Sequence, residues 1–146
     1  MNRRKITVLI MDGQGGQMGS QLIKTILSNF DDLDLIAVGT NAAASVAMLK
    51  AGASQAATGE NPARVAVKRA DVIIGPIGIV IADSMLGEVT PAMAAAVGSA
   101  DATRILIPVN RCENIVAGVS DMSTADILRD VVKKLREVLD GLRAPD

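Results

Sequence analysis

The chain of 146 residues has no histidine, no tryptophan and no tyrosine, and it has only one phenylalanine. Without histidine, the sequence cannot build a serine or cysteine nucleophile activated by imidazole, or a zinc site with a histidine ligand. Without tyrosine, it lacks a common proton donor for hydride-transfer reactions. Stacking of nucleobases on aromatic side chains is excluded almost entirely. These absences remove most of the familiar catalytic arrangements.

Cysteine content and net charge narrow the class of protein further. Cys112 is the only cysteine, so no internal disulfide can form, and without a histidine base we expect its thiol to be unreactive. Lysine and arginine number 15 against 16 acidic residues, and the net charge of −1 predicts neither nucleic acid nor a membrane surface as partner. The N-terminal residues do not resemble a secretion signal, so we expect a cytoplasmic protein.

Short apolar runs alternate with helical patterns along the chain, which predicts one α/β domain over residues 1–146. Continuous apolar strands joined by helices indicate a mostly parallel, doubly wound sheet in a three-layer αβα arrangement. The glycine-rich first turn favours a Rossmann-like strand order over a flavodoxin-like one. The predicted strands are 6–11, 35–38, 55–57, 71–74 and 104–109, with shorter extended pieces at 79–81 and 115–119. The predicted helices are 18–30, 42–51, 62–69, 91–97 and a last one that begins near 123.

Capping residues mark several of the predicted helix ends. Asn41 is a typical N-cap for the second helix, and Gly52 is a typical stop after it. Asn61 and Pro62 are interpreted as the N-cap and first-turn proline of the third helix. Thr90 is expected to cap the fourth helix in the same way.

Small or polar residues follow each of the predicted strands. The carboxyl ends of parallel strands lie along one edge of a sheet, and ligands bind in the crevice there. One such turn is common between a strand and a helix, but five together favour one extended site. We therefore predict that the protein binds a nucleotide or dinucleotide through its phosphate at this edge. The predicted binding residues are Gly13, Gln14, Gly15, Gly16, Gln17, Met18, Gly19, Thr40, Asn41, Thr58, Gly59, Glu60, Asn61, Gly75, Pro76, Ile77, Gly78 and Asn110.

The first of these turns has the strongest signal. Gly13, Gly15, Gly16 and Gly19 follow a strand and open a helix, where backbone amides and the helix dipole attract phosphate. Their spacing is related to the dinucleotide-binding fingerprint but is not identical with it. A P-loop is not expected, because no lysine follows Gly19 to reach the outer phosphates.

The polar side chains at the strand ends leave the cofactor and its chemistry open. Asp12 would repel a phosphate, so it holds Mg²⁺, acts as a base, or accepts hydrogen bonds from the turn amides, the role that we favour. Thr40 and Asn41 stand where NAD-dependent enzymes place an acidic residue, which leaves NADP, NAD and other nucleotides open as cofactors. Asp12, Glu60 and Glu88 are the candidates for acid–base catalysis, and no dedicated metal site is predicted.

Three functions are consistent with this pattern. The first is a nucleotide-binding module that holds a small phosphorylated ligand without a reaction of its own. The second is a small oxidoreductase or transferase with an acidic residue as acid or base and a site completed by a second subunit. The third is a structural or interaction protein whose glycines serve only turns. The alanine-rich helices of the chain also predict a homo-oligomer, with a homodimer expected first.

Six segments of the chain carry a resemblance to known proteins. They are 12–16 (DGQGG), 39–42 (GTNA), 48–53 (MLKAGA), 58–61 (TGEN), 74–79 (IGPIGI) and 87–91 (GEVTP). In these segments the chain resembles a small bacterial family known only as a domain of unknown function, over residues 5–110. The resemblance implies a compact cytoplasmic α/β protein. It brings no established activity, so it assigns no catalytic residue.

Overall fold

The computed structural model describes residues 4–109 and 114–145 of the chain. Five strands and five helices alternate through these residues, because each apolar strand is followed by an amphipathic or alanine-rich helical segment that packs on the sheet. The strands are β1 (Ile6–Asp12), β2 (Leu33–Gly39), β3 (Gln55–Thr58), β4 (Val72–Pro76) and β5 (Thr103–Ile107). The helices are α1 (Gln17–Asn29), α2 (Ala42–Ala51), α3 (Glu60–Arg69), α4 (Pro91–Gly98) and α5 (Thr124–Arg143).

All neighbouring strands pair in parallel, and their order across the sheet is β3-β2-β1-β4-β5. The Rossmann-like order predicted from the sequence is therefore confirmed. The chain leaves β1 toward β2 on one side and later returns to β4 on the other side. Strand order thus reverses between β1 and β4, which is where a crevice opens at the carboxyl edge of a doubly wound sheet.

The two faces of the sheet bury separate apolar layers, because successive side chains of a strand point to opposite faces. Val8 and Ile10 of β1 pack with residues of α1, α2 and α5. Leu9 and Met11 of the same strand pack on the other face with residues of α3 and α4. Helices therefore cover both faces, which confirms the predicted three-layer arrangement.

Side chains cap three of the helices at the positions where the structure begins them. The Asn41 carboxamide oxygen accepts the Ala44 amide at 2.9 Å, and the Thr90 hydroxyl accepts the Met93 amide at 3.1 Å. Ser123 caps α5 in the same way. Within the described residues no helix has both the length and the apolar character needed to cross a membrane.

The predicted start of the third helix is wrong by two residues. Asn61 is not the N-cap, because α3 begins at Glu60 and its N-cap is Gly59. Gly59 has a φ of 98°, a conformation that glycine adopts readily and that turns the chain directly out of β3. Pro62 still lies in the first turn, where its missing amide hydrogen leaves no helical bond unmade.

Two predicted extended pieces are also wrong. Residues 79–81 do not extend β4, because a 3-10 turn at Ile77–Val80 bends the chain across the edge of the sheet. Residues 115–119 form no strand in the described part of the chain. The Ile115 side chain is 94% exposed, so the apolar run there gains no burial from an extended conformation.

Candidate functional site

The candidate site lies at the carboxyl end of β1, beside the reversal of strand order. Three segments meet there: the loop 13–16 before α1, the residues 40–41 after β2, and Glu88 from the segment between β4 and α4. Pairing continues past the strands, since the Thr40 amide donates to the Asp12 carbonyl at 3.0 Å. We call this place the β1 crevice.

Asp12 is the last residue of β1, and its buried side chain bonds to the loop before α1. Its Oδ1 accepts the Gly13 amide at 2.8 Å, and its Oδ2 accepts the Gly19 amide at 2.7 Å. The side chain is buried, with 2% of the residue exposed. Because Gly19 lies in the first turn of α1, the carboxylate also lies at the positive end of that helix. This bonding confirms the favoured interpretation that Asp12 accepts hydrogen bonds from the turn amides.

The surroundings of Asp12 disfavour its ionised form. Burial raises the pKa of Asp12 above its ordinary value, and hydrogen bonds from the Gly19 and Gly13 amides partly offset that rise. The nearby charge of Glu88 raises the pKa further. Since both carboxylate oxygens are already bonded to amides, Asp12 is poorly placed to take a proton from a ligand in the crevice.

At three of the four glycines in the first turn, an added Cβ would be crowded or strained. A Cβ at Gly13 would lie 2.5 Å from the Thr40 hydroxyl oxygen, and one at Gly19 would lie 2.5 Å from the sulfur of Met48. Gly16 has a φ of 71° and lies against the backbone of α2. Gly15 differs, because a Cβ there would meet nothing within 4 Å and its φ is one that any residue adopts.

Glu88 supplies the polar centre of the β1 crevice. Its Oε1 accepts three hydrogen bonds: from the Gln14 amide at 3.0 Å, the Thr40 hydroxyl at 2.8 Å and the Asn41 carboxamide nitrogen at 2.5 Å. Asn41 donates in addition to the Gln14 carbonyl at 2.9 Å. Glu88 therefore ties the loop after β1 to the end of β2.

Glu88 carries its charge at neutral pH. Burial raises its pKa, but hydrogen bonds from Asn41, Gln14 and Thr40 together outweigh this effect, and the pKa of Glu88 lies below its ordinary value. Since the three donors favour the carboxylate over the carboxylic acid, the cluster holds an ionised group beside the loop that follows β1.

This pKa predicts how acid acts on Glu88 and its cluster. The folded pKa lies below the ordinary value of 4.5, so the unfolded chain takes up the proton first as pH falls. The stabilising contribution of Glu88 is therefore present above pH 4.5 and is lost as pH falls through the folded pKa. Urea unfolding of wild type and Glu88→Gln should give a difference in free energy of unfolding that is larger at pH 7 than at pH 3.5. An equal difference at both pH values would show that the cluster does not depend on the charge.

The remaining predicted site residues make contacts outside the cluster around Glu88. The Thr58 hydroxyl lies 2.6 Å from that of Ser45, and the Glu60 carboxylate accepts the Thr90 hydroxyl at 2.6 Å. Gly59 and Asn61 belong to the start of α3, while Gly75 and Pro76 are buried in β4. Ile77 and Gly78 begin the 3-10 turn. Asn110 and Cys112 lie outside the described residues.

The structure thus brings Gln14, Thr40 and Asn41 together, and it adds Glu88, which the sequence marks only as a candidate acid or base. Met85, whose sulfur would lie 2.6 Å from a Cβ on Gly13, is a contact that the sequence analysis missed. No sequence pattern points to it, because the apolar run 79–81 favours a strand, whereas the chain forms a 3-10 turn at Ile77–Val80. Among residues 4–109 and 114–145, no three acidic or cysteine side chains are grouped to hold a metal ion.

The fold and the crevice define the class of this protein as a Rossmann-like α/β domain with five parallel strands. The chain belongs to the family described as domain of unknown function DUF3842, whose model matches residues 7–140. The match continues past residue 110, where the resemblance seen in the sequence ends, into the last part of α5. No curated protein matches the chain.

Proposed function

We propose that the protein binds a nucleotide through its phosphate in the β1 crevice. The observation that carries this proposal is Gly15, the one glycine of the first turn that neither space nor φ requires. A glycine at an exposed position has no side chain to cover the backbone, so a ligand can approach the backbone closely. Gly15 lies beside the reversal of strand order, where doubly wound folds bind their ligands.

The start of α1 provides donors that suit a phosphate. Asp12 takes the amides of Gly13 and Gly19, but within the described residues no acceptor takes the amides of Gln17 and Met18. These amides begin a helix of 13 residues, whose dipole adds about half a positive charge at that end. A phosphate oxygen placed there would gain charge-assisted hydrogen bonds without displacing Asp12.

Binding alone is proposed, because hydrogen bonds within the protein already hold Asp12 and Glu60, and the contacts of Glu88 support binding and assign it no acid–base step. Both oxygens of Asp12 are bonded to amides, and Glu60 accepts a hydrogen bond from the cap of α4. Asp12 therefore has no free oxygen for a ligand on α1, and Glu60 is tied to the start of α4. The protein is therefore proposed as a module that holds a nucleotide, with NAD, NADP and adenine nucleotides as the first probes.

Gly15→Val tests this proposal. The new side chain has room, so the melting temperature should change by no more than about 2 °C, the usual effect of a neutral surface change. The added bulk should weaken binding of the nucleotide by about tenfold or more, because it covers the backbone that the ligand approaches. Isothermal titration with NAD, NADP and ADP, each with and without Mg²⁺, measures this change.

The matched control is Gly98→Val, since Gly98 also has open space and lies at the end of α4. Its affinity should equal that of wild type. Wild-type protein that binds none of the probes would refute the proposal and favour a structural role for the turn. Equal affinities of wild type and Gly15→Val would place any binding elsewhere.

A further inference from the structure

We propose that Glu88 reads the ribose of the bound nucleotide, so that the β1 crevice selects a free 2′,3′-diol over a ribose 2′-phosphate. This inference rests on the proposed nucleotide binding and names the ligand class more closely. In the usual dinucleotide site, an acidic residue at the end of the second strand accepts the ribose hydroxyls. Here Thr40 and Asn41 follow β2, and neither is acidic.

The structure nevertheless places a carboxylate, that of Glu88, at the end of β2. Glu88 lies in the segment between β4 and α4, and its side chain is bonded to both Thr40 and Asn41. The Asn41 carboxamide has a fixed orientation, because its oxygen accepts the Ala44 amide at 2.9 Å and its nitrogen must then face Glu88. The end of β2 is thus built to hold a carboxylate.

Only one oxygen of this carboxylate is used by the protein. The Gln14 amide, the Thr40 hydroxyl and the Asn41 nitrogen all donate to Oε1, while Oε2 has no hydrogen bond to any of the described residues. An ionised carboxylate with one oxygen held and the other open accepts hydrogen bonds from a ligand. The two neighbouring hydroxyls of a ribose provide such donors.

The same charge disfavours a phosphate on the ribose. The three groups that hold Glu88 are neutral: a backbone amide, a hydroxyl and a carboxamide. A 2′-phosphate would therefore approach an ionised carboxylate whose hydrogen-bond donors carry no positive charge. Like charges repel strongly in a partly buried site. The crevice is expected to distinguish NAD from NADP by the charge of Glu88.

Isothermal titration of wild-type protein with two matched pairs of ligands tests the inference. NAD should bind at least about tenfold more tightly than NADP, because only NADP places a phosphate on Glu88. ADP should bind about tenfold more tightly than 2′-deoxy-ADP, because only ADP donates its 2′-hydroxyl to the open oxygen. Both comparisons use the unaltered protein and therefore do not depend on whether a variant folds.

Glu88→Gln then assigns the preference to this residue. The glutamine oxygen can still accept from the three donors, but an amide nitrogen replaces the open oxygen and the charge is removed. The preference for NAD over NADP should fall to about twofold or less. The control Glu137→Gln makes the same change on the exposed part of α5 and should keep the wild-type preference.

The outcomes separate this inference from the proposed function. If no nucleotide binds, the proposed function and the inference both fail. If the wild type binds nucleotides but treats the members of each pair alike, only the inference fails. An unchanged NAD preference in folded Glu88→Gln protein would likewise overturn the role of Glu88 and leave nucleotide binding in place.

Discussion

Gly75→Ala is expected to destabilise the protein by about 3 kcal/mol or more, the upper range for overpacking a core. Gly75 lies in β4, next to the central strand, and its added Cβ would lie 2.3 Å from the Met11 carbonyl oxygen. That atom belongs to the backbone of β1, so it cannot move aside without opening the sheet at the crevice. Urea and thermal unfolding should show a fall in melting temperature of about 10 °C, and a shift under about 3 °C would contradict this packing.

Gly141→Ala is the matched control for this prediction. It makes the same one-methyl change in α5, where a Cβ would meet nothing within 4 Å. Alanine has a higher helix propensity than glycine, so this variant should be more stable than wild type by about 0.5–1 kcal/mol. Opposite signs for the two variants would show that the space around Gly75, and not the loss of a glycine, sets the effect.

Asp12→Ala is expected to cost about 3 kcal/mol, and it should loosen the loop before α1. The change leaves the buried amides of Gly13 and Gly19 without their acceptors, and each unsatisfied buried donor costs about 1–3 kcal/mol. Removal of a buried charge offsets part of this loss, because burial already raises the pKa of Asp12. Chemical unfolding at pH 7 measures the difference in free energy from wild type.

Asp12→Asn separates the two hydrogen bonds from the shape of the side chain. The carboxamide keeps the size of the aspartate and one accepting oxygen, but it presents an NH₂ group to the second amide. Its stability should lie between those of wild type and Asp12→Ala. If Asp12→Ala and Asp12→Asn both lie within about 0.5 kcal/mol of wild type, the carboxylate does not hold the loop.

The order of the strands could be predicted because the local patterns agree with one another. The apolar run of β1, the glycines after it and the stripe of α1 all predict a strand that turns into a helix on a parallel sheet. The helix caps Asn41 and Thr90 were predictable for the same reason, since a cap bonds to an amide only three residues away. A hydrogen bond between residues that are close in sequence can therefore be recognised from the sequence.

The centre of the crevice could not be predicted in this way. Glu88 is 74 residues from Gln14 in sequence, and 3-10 and left-handed turns between Ile77 and Gly87 bring it across the edge of the sheet. Met85 and Leu86 have positive φ values, which non-glycine residues rarely adopt and which no sequence pattern indicates. The apolar run 79–81 instead favours a strand, so the sequence directs attention away from the contact.

Nitrogen-15 NMR titration of the backbone amides with NAD is the measurement that tests nucleotide binding in the β1 crevice most directly. We expect the largest shifts at Gln14, Gly15, Gln17 and Met18, with a second group at Thr40 and Asn41 and little change along α5. The same titration of Gly15→Val should lose these shifts at equal NAD concentration. Saturable shifts that cluster away from this crevice, or none with NAD, NADP or ADP, would contradict the central claim.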